Sequence, residues 1–223
     1  MLLLGFVLSV VVAAGAARLH LLTRDGAAAA VLVGSLTFGF GGWKHATLLA
    51  IFFISSSVLT RWKREWKGEP GHRTARTAAQ VFANGGVAAA LAVAGSQSQS
   101  GVVAAGFTAA LAAATADTWA TEVGLLSSAP PRMITTWRAV APGVSGGVTW
   151  LGTGAAITGA ALISGGAWLL DVQGWIPWVT GVGAMLLDSL LGATVEGRLR
   201  GMTNDTVNLL ATCAAAVVAA LLV

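Results

Sequence analysis

The chain has 223 residues, of which 56% are hydrophobic and only 10% are charged, and its formal net charge at pH 7 is +4. A soluble domain carries roughly 25% charged residues, so this composition excludes an ordinary water-soluble protein and indicates a surface covered by lipid. The basic residues are few and lie in short loops, and we therefore expect no nucleic-acid partner. The single cysteine, Cys213, excludes an intrachain disulfide and a cysteine-based metal site.

Apolar stretches long enough to cross a bilayer recur from the first residue, where Met1-Leu-Leu-Leu-Gly is typical of a first span rather than a cleaved signal peptide. A membrane helix needs about 20 mostly apolar residues. The candidate spans are 1–17, 26–42, 45–60, 78–95, 101–121, 147–170, 175–192 and 204–223. The sequence therefore predicts an all-α, polytopic transmembrane bundle of about eight helices, with seven as the alternative count. We expect a single integral membrane domain over 1–223.

Basic residues are concentrated in alternate loops. If odd-numbered helices run from outside to inside, twelve of the 13 Lys and Arg residues lie in or beside loops 18–25, 61–77, 122–146 and 193–203, and only Lys44 lies outside. By the positive-inside rule, these loops face the cytoplasm of a bacterial inner membrane and both termini face away from it. Four tryptophans fall at the opposite face, as interfacial anchors do: Trp43, Trp168, Trp175 and Trp178.

The acidic residues share this asymmetry, although acids contribute little to membrane orientation. Only Asp171 maps to the outer half. The other eight acids map to the inner half: Asp25, Glu65, Glu69, Asp117, Glu122, Asp188, Glu196 and Asp205. A second cause is needed, and we expect a polar site at the inner ends of the helices.

Four segments supply that site, and the first two lie in the middle of the chain. Arg76, Gln80 and Asn84 follow one another at four-residue intervals and share a helix face that descends into the membrane. Interhelical hydrogen bonding by the two amides is the alternative.

Asp117 ends an Ala-rich span, and an intramembrane carboxylate is costly and usually functional. Asp117 and Glu122 lie about 140° apart on a helix, so they serve one metal only if the helix breaks or each has its own neighbour. An ion pair with Arg76 or Arg138 is the alternative for Asp117.

The third segment is Pro142-Gly-Val-Ser-Gly-Gly147-Val-Thr149, at the start of a predicted helix. Glycines before a helix expose backbone N–H groups to an anion, which makes Ser145, Gly146 and Gly147 candidate ligand-binding residues, although tight packing also explains them.

The fourth segment holds Asp188 within an apolar span and Glu196 at its end. It continues to Asn204, Asp205 and Asn208 at the next helix start, where Asp205 could instead be an N-terminal helix charge or cap.

Oxygen-rich clusters without cysteine favour a hard cation such as Mg²⁺, which typically takes one or two carboxylates together with substrate phosphates. The three histidines are scattered and do not predict a zinc hydrolase. An added arginine and a glycine-rich backbone make the cluster a candidate phosphate site.

The motifs together resemble those of domain-of-unknown-function family 92, which includes transmembrane protein 19 and the plant chloroplast phytyl-phosphate kinase. The resemblance covers nearly the whole chain. It is carried by Arg76-Thr-Ala-Ala-Gln-Val-Phe-Ala-Asn-Gly, Ala116-Asp-Thr-Trp-Ala-Thr-Glu-Val-Gly, Gly146-Gly-Val-Thr-Trp-Leu-Gly-Thr, Asp188-Ser-Leu-Leu-Gly-Ala and Thr203-Asn-Asp-Thr-Val-Asn.

The resemblance implies a membrane-embedded enzyme that phosphorylates a prenyl monophosphate, such as phytyl phosphate, to the diphosphate, with CTP or another nucleoside triphosphate as donor. Its partners would be the prenyl-phosphate lipid, the nucleotide and membrane lipid, and a homo-oligomer is compatible with the sequence. We expect Asp117, Asp188 and Arg76 to be catalytic. The predicted metal ligands are Asp117, Glu122, Asp188 and Asp205. The predicted nucleotide- and phosphate-binding residues are Gln80, Asn84, Ser145, Gly146, Gly147, Asn204 and Asn208.

Two other functions use the same cluster. A transporter of a phosphorylated lipid or small anion would bind its cargo there, although transporter sites lie near the membrane midplane. A CTP-dependent lipid cytidylyltransferase would differ only in which phosphorus of the nucleotide is attacked.

Overall fold

The computed structural model describes residues 1–62, 75–96 and 100–223, which form seven helices and one short β-ribbon. The helices are α1 Leu2–Arg18, α2 Arg24–Arg61, α3 Ala78–Gly95, α4 Gly101–Gly124, α5 Trp150–Leu169, α6 Ile176–Thr194 and α7 Asn204–Leu221. The strands are β1 Arg132–Met133 and β2 Gly147–Val148, which pair antiparallel. The all-α polytopic bundle is therefore confirmed. The predicted inner-loop charges between 63 and 74, among them Lys63, Glu65, Glu69 and Arg73, lie outside the described residues.

Helix α2 is a hairpin of two membrane-length arms. Its 38 residues are interrupted at Gly42, whose φ of 74° and ψ of −171° are not helical. The N-cap residue Thr23 donates its hydroxyl to the carbonyl of Arg76, while Phe52 in the second arm lies 5.1 Å from the Arg76 guanidinium carbon. A straight helix of this length would extend ~57 Å, so both arms reach Arg76 only because the helix folds back. The two arms correspond to the predicted spans 26–42 and 45–60.

Five of the described helices, α2, α3, α4, α6 and α7, are long and apolar enough to cross a bilayer. Counting the two arms of α2 separately gives eight helical rods in the described part of the chain, in line with the predicted number. The predicted span 147–170 begins too early, because residues 147 and 148 form strand β2 and Thr149 caps α5 by accepting a hydrogen bond from the Gly152 N–H at 2.9 Å.

Helix α4 is the centre of the bundle, and it contacts α2, α3, α5, α6 and α7. Its buried face is mostly alanine, filled out by Phe107 and Leu111, neither of which is exposed. Small side chains let neighbouring helices approach closely in a membrane, where apolar lipid provides little hydrophobic drive for helix association. The last turns of this helix carry Asp117 and Glu122 to the end of the bundle where α2 ends and α3, α5 and α7 begin.

Helix α6 packs on α4 through Gly181. A Cβ at this position would lie 2.7 Å from the Ala112 Cβ and 2.9 Å from the Ala112 carbonyl carbon. Gly183, two residues further on, faces open space, with nothing within 4 Å of an added Cβ. The close approach at Gly181 sets the distance between the two helices that carry Asp117 and Asp188.

We expect Gly181→Ala to destabilise the protein by about 1–3 kcal/mol, since an added methyl group in a tight contact forces the helices apart. Gly183→Ala is the matched control, and it should be neutral or slightly stabilising because alanine favours helix formation over glycine. Thermal unfolding in detergent, followed by circular dichroism, measures both. Equal stability of the two variants would contradict the packing described here.

Candidate functional site

A cavity of about 290 Å³ opens where these helix ends meet, and we refer to this as the site end of the bundle. Every residue that the sequence predicted for the site, except Asp205, lines the cavity: Arg76, Gln80, Asn84, Asp117, Glu122, Ser145, Gly146, Gly147, Asp188, Asn204 and Asn208. The fold thus brings together four sequence segments that are far apart in the chain. The chemical role of each residue stays a prediction.

The carboxyl groups of Asp117 on α4 and Asp188 on α6 are within hydrogen-bonding reach of each other. Glu196, just beyond the end of α6, also lines the cavity and acts electrostatically on both. Glu196 was not among the predicted site residues, although the fourth segment named in the sequence ends with it. Carboxylates this close repel each other, so the cluster needs a shared proton or a cation.

Two buried oxygen atoms of cavity-lining residues have no hydrogen-bond partner among the described residues, namely Oδ2 of Asp188 and Oδ1 of Asn208. The Asn84 side-chain NH₂ donates to the Gln80 carbonyl at 2.9 Å, which leaves the Asn84 side-chain oxygen as its acceptor group. Leaving a buried acceptor unpaired is costly. Oxygen ligands of this kind suit a hard cation, and the chemistry of the donor set fits Mg²⁺ held by Asp117 and Asp188.

The predicted set of four metal ligands is not assembled as one group. In the described parts of the chain, no three His, Cys, Asp or Glu side chains are placed to hold one ion. Glu122 is buried and acts electrostatically on Arg76, and because α4 continues unbroken to Gly124, Glu122 points to a different side of the helix from Asp117. Asp205 lies in the first turn of α7, which Thr203 caps by accepting from the Thr206 N–H at 3.3 Å.

Arg76 is the one cationic side chain among the described residues that line the cavity. Its backbone N–H donates to Leu21, and its carbonyl accepts from the Thr23 N–H and hydroxyl. Its guanidinium carbon lies 5.1 Å from the Phe52 ring centre and 5.9 Å from that of Phe53. Desolvation lowers the pKa of Arg76 to about 10, with Glu122 opposing the shift, so the group keeps its positive charge at neutral pH.

The expectation that Arg76, Gln80 and Asn84 share one helix is wrong for Arg76. Helix α3 begins at Ala78 because Thr77 and Gln80 form a capping box. The Thr77 N–H donates to the Gln80 side-chain oxygen at 3.1 Å, and the Gln80 N–H donates to the Thr77 hydroxyl at 3.4 Å. With its oxygen occupied, Gln80 presents its side-chain NH₂ as the group able to donate to an anion.

The glycine-rich loop before α5 closes another wall of the cavity. The Val144 N–H donates to Ala141 and the Gly147 N–H donates to Val144, so both amides are used within the loop. The N–H groups of Ser145 and Gly146 have no backbone acceptor within the described residues, which leaves them able to bind an anion. Of the three residues predicted in this loop, Ser145 and Gly146 therefore offer donors, whereas Gly147 has its N–H committed.

Gly146 is held against α6 by the tightest contact in the loop. It has a φ of 80°, and a Cβ there would lie 2.5 Å from the Ala193 Cβ. Its position also requires Gly192, where an added Cβ would lie 3.1 Å from the Gly146 nitrogen. The loop can approach Asp188 only because both residues lack side chains.

We expect Gly146→Ala to move the loop away from α6 and to destabilise the protein by about 2–4 kcal/mol, from left-handed strain and overpacking together. Gly201→Ala is the matched control, since Gly201 has a φ of 85° but nothing within 4 Å of an added Cβ. Gly201→Ala should lower the free energy of unfolding by only roughly 1 kcal/mol, the cost of placing alanine in the left-handed conformation. Thermal unfolding separates the two, and equal losses would show that the contact with Ala193 is unimportant.

The fold and the cavity define a class of protein: a polytopic membrane protein with a carboxylate- and amide-lined cavity at one end of its helices. The model of the family described as "integral membrane protein DUF92" matches residues 7–216, and the chain belongs to that family, the domain-of-unknown-function family 92. It is therefore an integral membrane protein.

Two curated relatives illustrate the range of the family. An uncharacterized membrane protein of Methanocaldococcus jannaschii is 33% identical over 205 residues, which cover 90% of this chain and 85% of the relative. Protein PGR of Arabidopsis thaliana is 29% identical over 228 residues, which cover 87% of this chain and 79% of the relative. No solved structure matches the chain.

Proposed function

We propose that this protein is a prenyl-phosphate kinase that transfers a phosphoryl group from a nucleoside triphosphate, with CTP as the expected donor, to phytyl phosphate or a related prenyl monophosphate. The supporting observation is that the cavity wall combines two kinds of group. It holds the oxygen acceptors of Asp117, Asp188 and Asn208 together with the donors of Arg76, Gln80 and the glycine-rich loop. The motif resemblance to the family of the plant phytyl-phosphate kinase supports the choice of reaction.

Electrostatics explains why this arrangement suits phosphate transfer with a divalent cation. Four carboxyl-bearing residues and one guanidinium line the described part of the cavity: Asp117, Glu122, Asp188, Glu196 and Arg76. Without a cation, this excess of acidic groups would repel phosphates. Mg²⁺ bound by Asp117 and Asp188 would neutralise that charge and polarise the phosphoryl oxygens.

The chain's own residues position the two phosphates. Arg76 and the Gln80 NH₂ donate to phosphate oxygens, and the Ser145 and Gly146 N–H groups hold the donor phosphates beside them. An oxygen of the prenyl phosphate forms a bond to the γ-phosphorus as the bond from that phosphorus to the β–γ bridging oxygen breaks, and the nucleoside diphosphate leaves. The acceptor is already an anion, so the reaction needs no strong general base. Positioning and charge neutralisation carry the rate enhancement.

We further propose that the site end faces the cytoplasm of a bacterial inner membrane, with both termini on the other side. The support is the positive-inside pattern of the loops. A cytoplasmic site has direct access to nucleotide.

Two other functions remain as alternatives and are distinguished by the product. A transporter of a phosphorylated lipid or small anion would make no new compound, and a site at one end of the helices is unlike the midplane sites of transporters. A cytidylyltransferase would attack the α-phosphorus of CTP and release a CDP-lipid with pyrophosphate.

Purified protein incubated with phytyl or geranylgeranyl phosphate, Mg²⁺ and each nucleoside triphosphate in turn should form the prenyl diphosphate. Asp117→Asn and Asp188→Asn should each lower kcat by roughly 100-fold or more, the scale of removing one electrostatic transition-state contact. Both variants should unfold at or above the wild-type temperature, because each removes one of two repelling carboxyl groups.

Asp171→Asn is the control, since Asp171 lies at the opposite end of the bundle and its φ of 52° is one that asparagine tolerates. It should leave activity unchanged. Absence of prenyl diphosphate with every nucleotide would overturn the proposal, and a CDP-lipid product would replace it with the cytidylyltransferase. Full activity in both cavity variants would place the site elsewhere.

A further inference from the structure

A second cavity of about 420 Å³ lies between α5 and α6, at the end of the bundle opposite the site. Its walls are almost entirely apolar and include Ala161, Gly165, Trp168, Trp175 and Trp178. We refer to it as the outer cavity. It shares both of its helices with the site cavity, whose walls include Thr153 of α5 and Met185 and Ser189 of α6.

On each helix, residues on one face lead from one cavity towards the other, with Ile157 of α5 and Val182 of α6 between the two cavities. On α5 this face runs through Thr153, Ile157, Ala161, Ser164 and Trp168, at spacings of three or four residues. Residues at these spacings lie on one face of a helix.

The face on α6 runs through Ser189, Met185, Val182, Trp178 and Trp175 with the same kind of spacing. The same faces of α5 and α6 therefore carry residues of both cavities, and we refer to these two faces together as the α5–α6 seam. The seam is polar at the site end and apolar beyond it.

Trp178 divides this seam. Its indole N–H donates to the Ile157 carbonyl at 3.0 Å, so the side chain crosses from α6 to α5 at the inner edge of the outer cavity. Ser189 and Trp178 are eleven residues apart, which corresponds to about 16 Å along the helix at ~1.5 Å per residue. That length is comparable with an extended farnesyl chain. A longer chain anchored by its phosphate at the site would have to pass Trp178 and enter the outer cavity.

We propose that the α5–α6 seam binds the isoprenoid chain of the phosphorylated substrate, with Trp178 at the position where chains longer than farnesyl enter the outer cavity. This inference rests on the proposed function, because the phosphate in the site cavity anchors the chain. The seam shares its helix faces with the proposed phosphate site, and this distinguishes it from an ordinary lipid-facing groove. The seam's apolar walls suit a branched hydrocarbon, and its length makes the outer cavity a determinant of chain-length preference.

Photolabelling tests where the chain lies without requiring turnover. A geranylgeranyl phosphate that carries a diazirine near its chain terminus should label α5 and α6 between residues 161 and 178, as read by peptide mass spectrometry. The matched probe is the corresponding geranylgeranyl alcohol, which lacks the anchoring phosphate and should label these peptides weakly. Arg76→Ala should weaken labelling by the phosphate probe to the level of the alcohol. Predominant labelling of α1 or α7, or equal labelling by the two probes, would overturn the inference.

A paired substitution tests chain-length preference by kinetics. Ala161→Phe fills the outer cavity, and it should lower kcat/KM for geranylgeranyl phosphate by about tenfold or more, as expected when a hydrophobic pocket loses room for part of a substrate. It should leave kcat/KM for geranyl phosphate unchanged. Leu162→Phe is the control, since Leu162 is the next residue on the same helix and is exposed on its surface. Equal loss for both chain lengths in Ala161→Phe would contradict the assigned position of the chain.

The two proposals fail in distinguishable ways. Phosphate-dependent labelling of the seam without formation of a diphosphate would overturn the kinase reaction and retain the chain-binding seam. Formation of diphosphate with labelling elsewhere would retain the kinase and overturn the seam.

Discussion

The contact between the carboxyl groups of Asp117 and Asp188 is the constraint on which the rest of the site depends. Two acidic groups inside an apolar bundle are unfavourable unless they share a proton or a cation. The surrounding residues are consistent with a cation, since Asp188 and Asn208 each keep an oxygen without a described hydrogen-bond partner. Arg76, whose guanidinium carbon lies near the rings of Phe52 and Phe53, carries the opposite charge that the proposed phosphate requires.

Small residues make this contact geometrically attainable. Alanines along the buried face of α4 allow five other helices to surround it, and Gly181 brings α6 close enough for Asp188 to meet Asp117. Gly146 and Gly192 then allow the loop before α5 to close against the same helix. The abundance of glycine and alanine, which in the sequence indicated only membrane packing, thus has a specific consequence for the position of the site.

The sequence predicted the helices well because hydropathy acts locally, and the break between the predicted spans 26–42 and 45–60 falls beside Gly42, where the two arms of α2 meet. The span 78–95 and the local Thr77–Gln80 capping pattern both place Arg76 before the start of α3, so its expected place on that helix was wrong for a local reason. The electrostatic action of Glu122 on Arg76 depends on three-dimensional neighbours and could not be predicted. Asp205 was expected in the cavity but lies in the first turn of α7 without lining it. Glu196 could have been assigned to the site from the sequence, because it ends the segment that holds Asp188. The ribbon of β1 and β2 could not have been predicted, because two-residue strands are too short to show an alternating pattern.

Binding of Mn²⁺ as a substitute for Mg²⁺, followed by electron paramagnetic resonance, tests the central claim most directly. The purified protein should bind the ion in the presence of a prenyl monophosphate, and Asp117→Asn and Asp188→Asn should each weaken that binding by tenfold or more. Asp171→Asn should bind as the wild type does. Undiminished Mn²⁺ binding in both cavity variants would contradict the assignment of the carboxylate pair to a cation-dependent phosphate site.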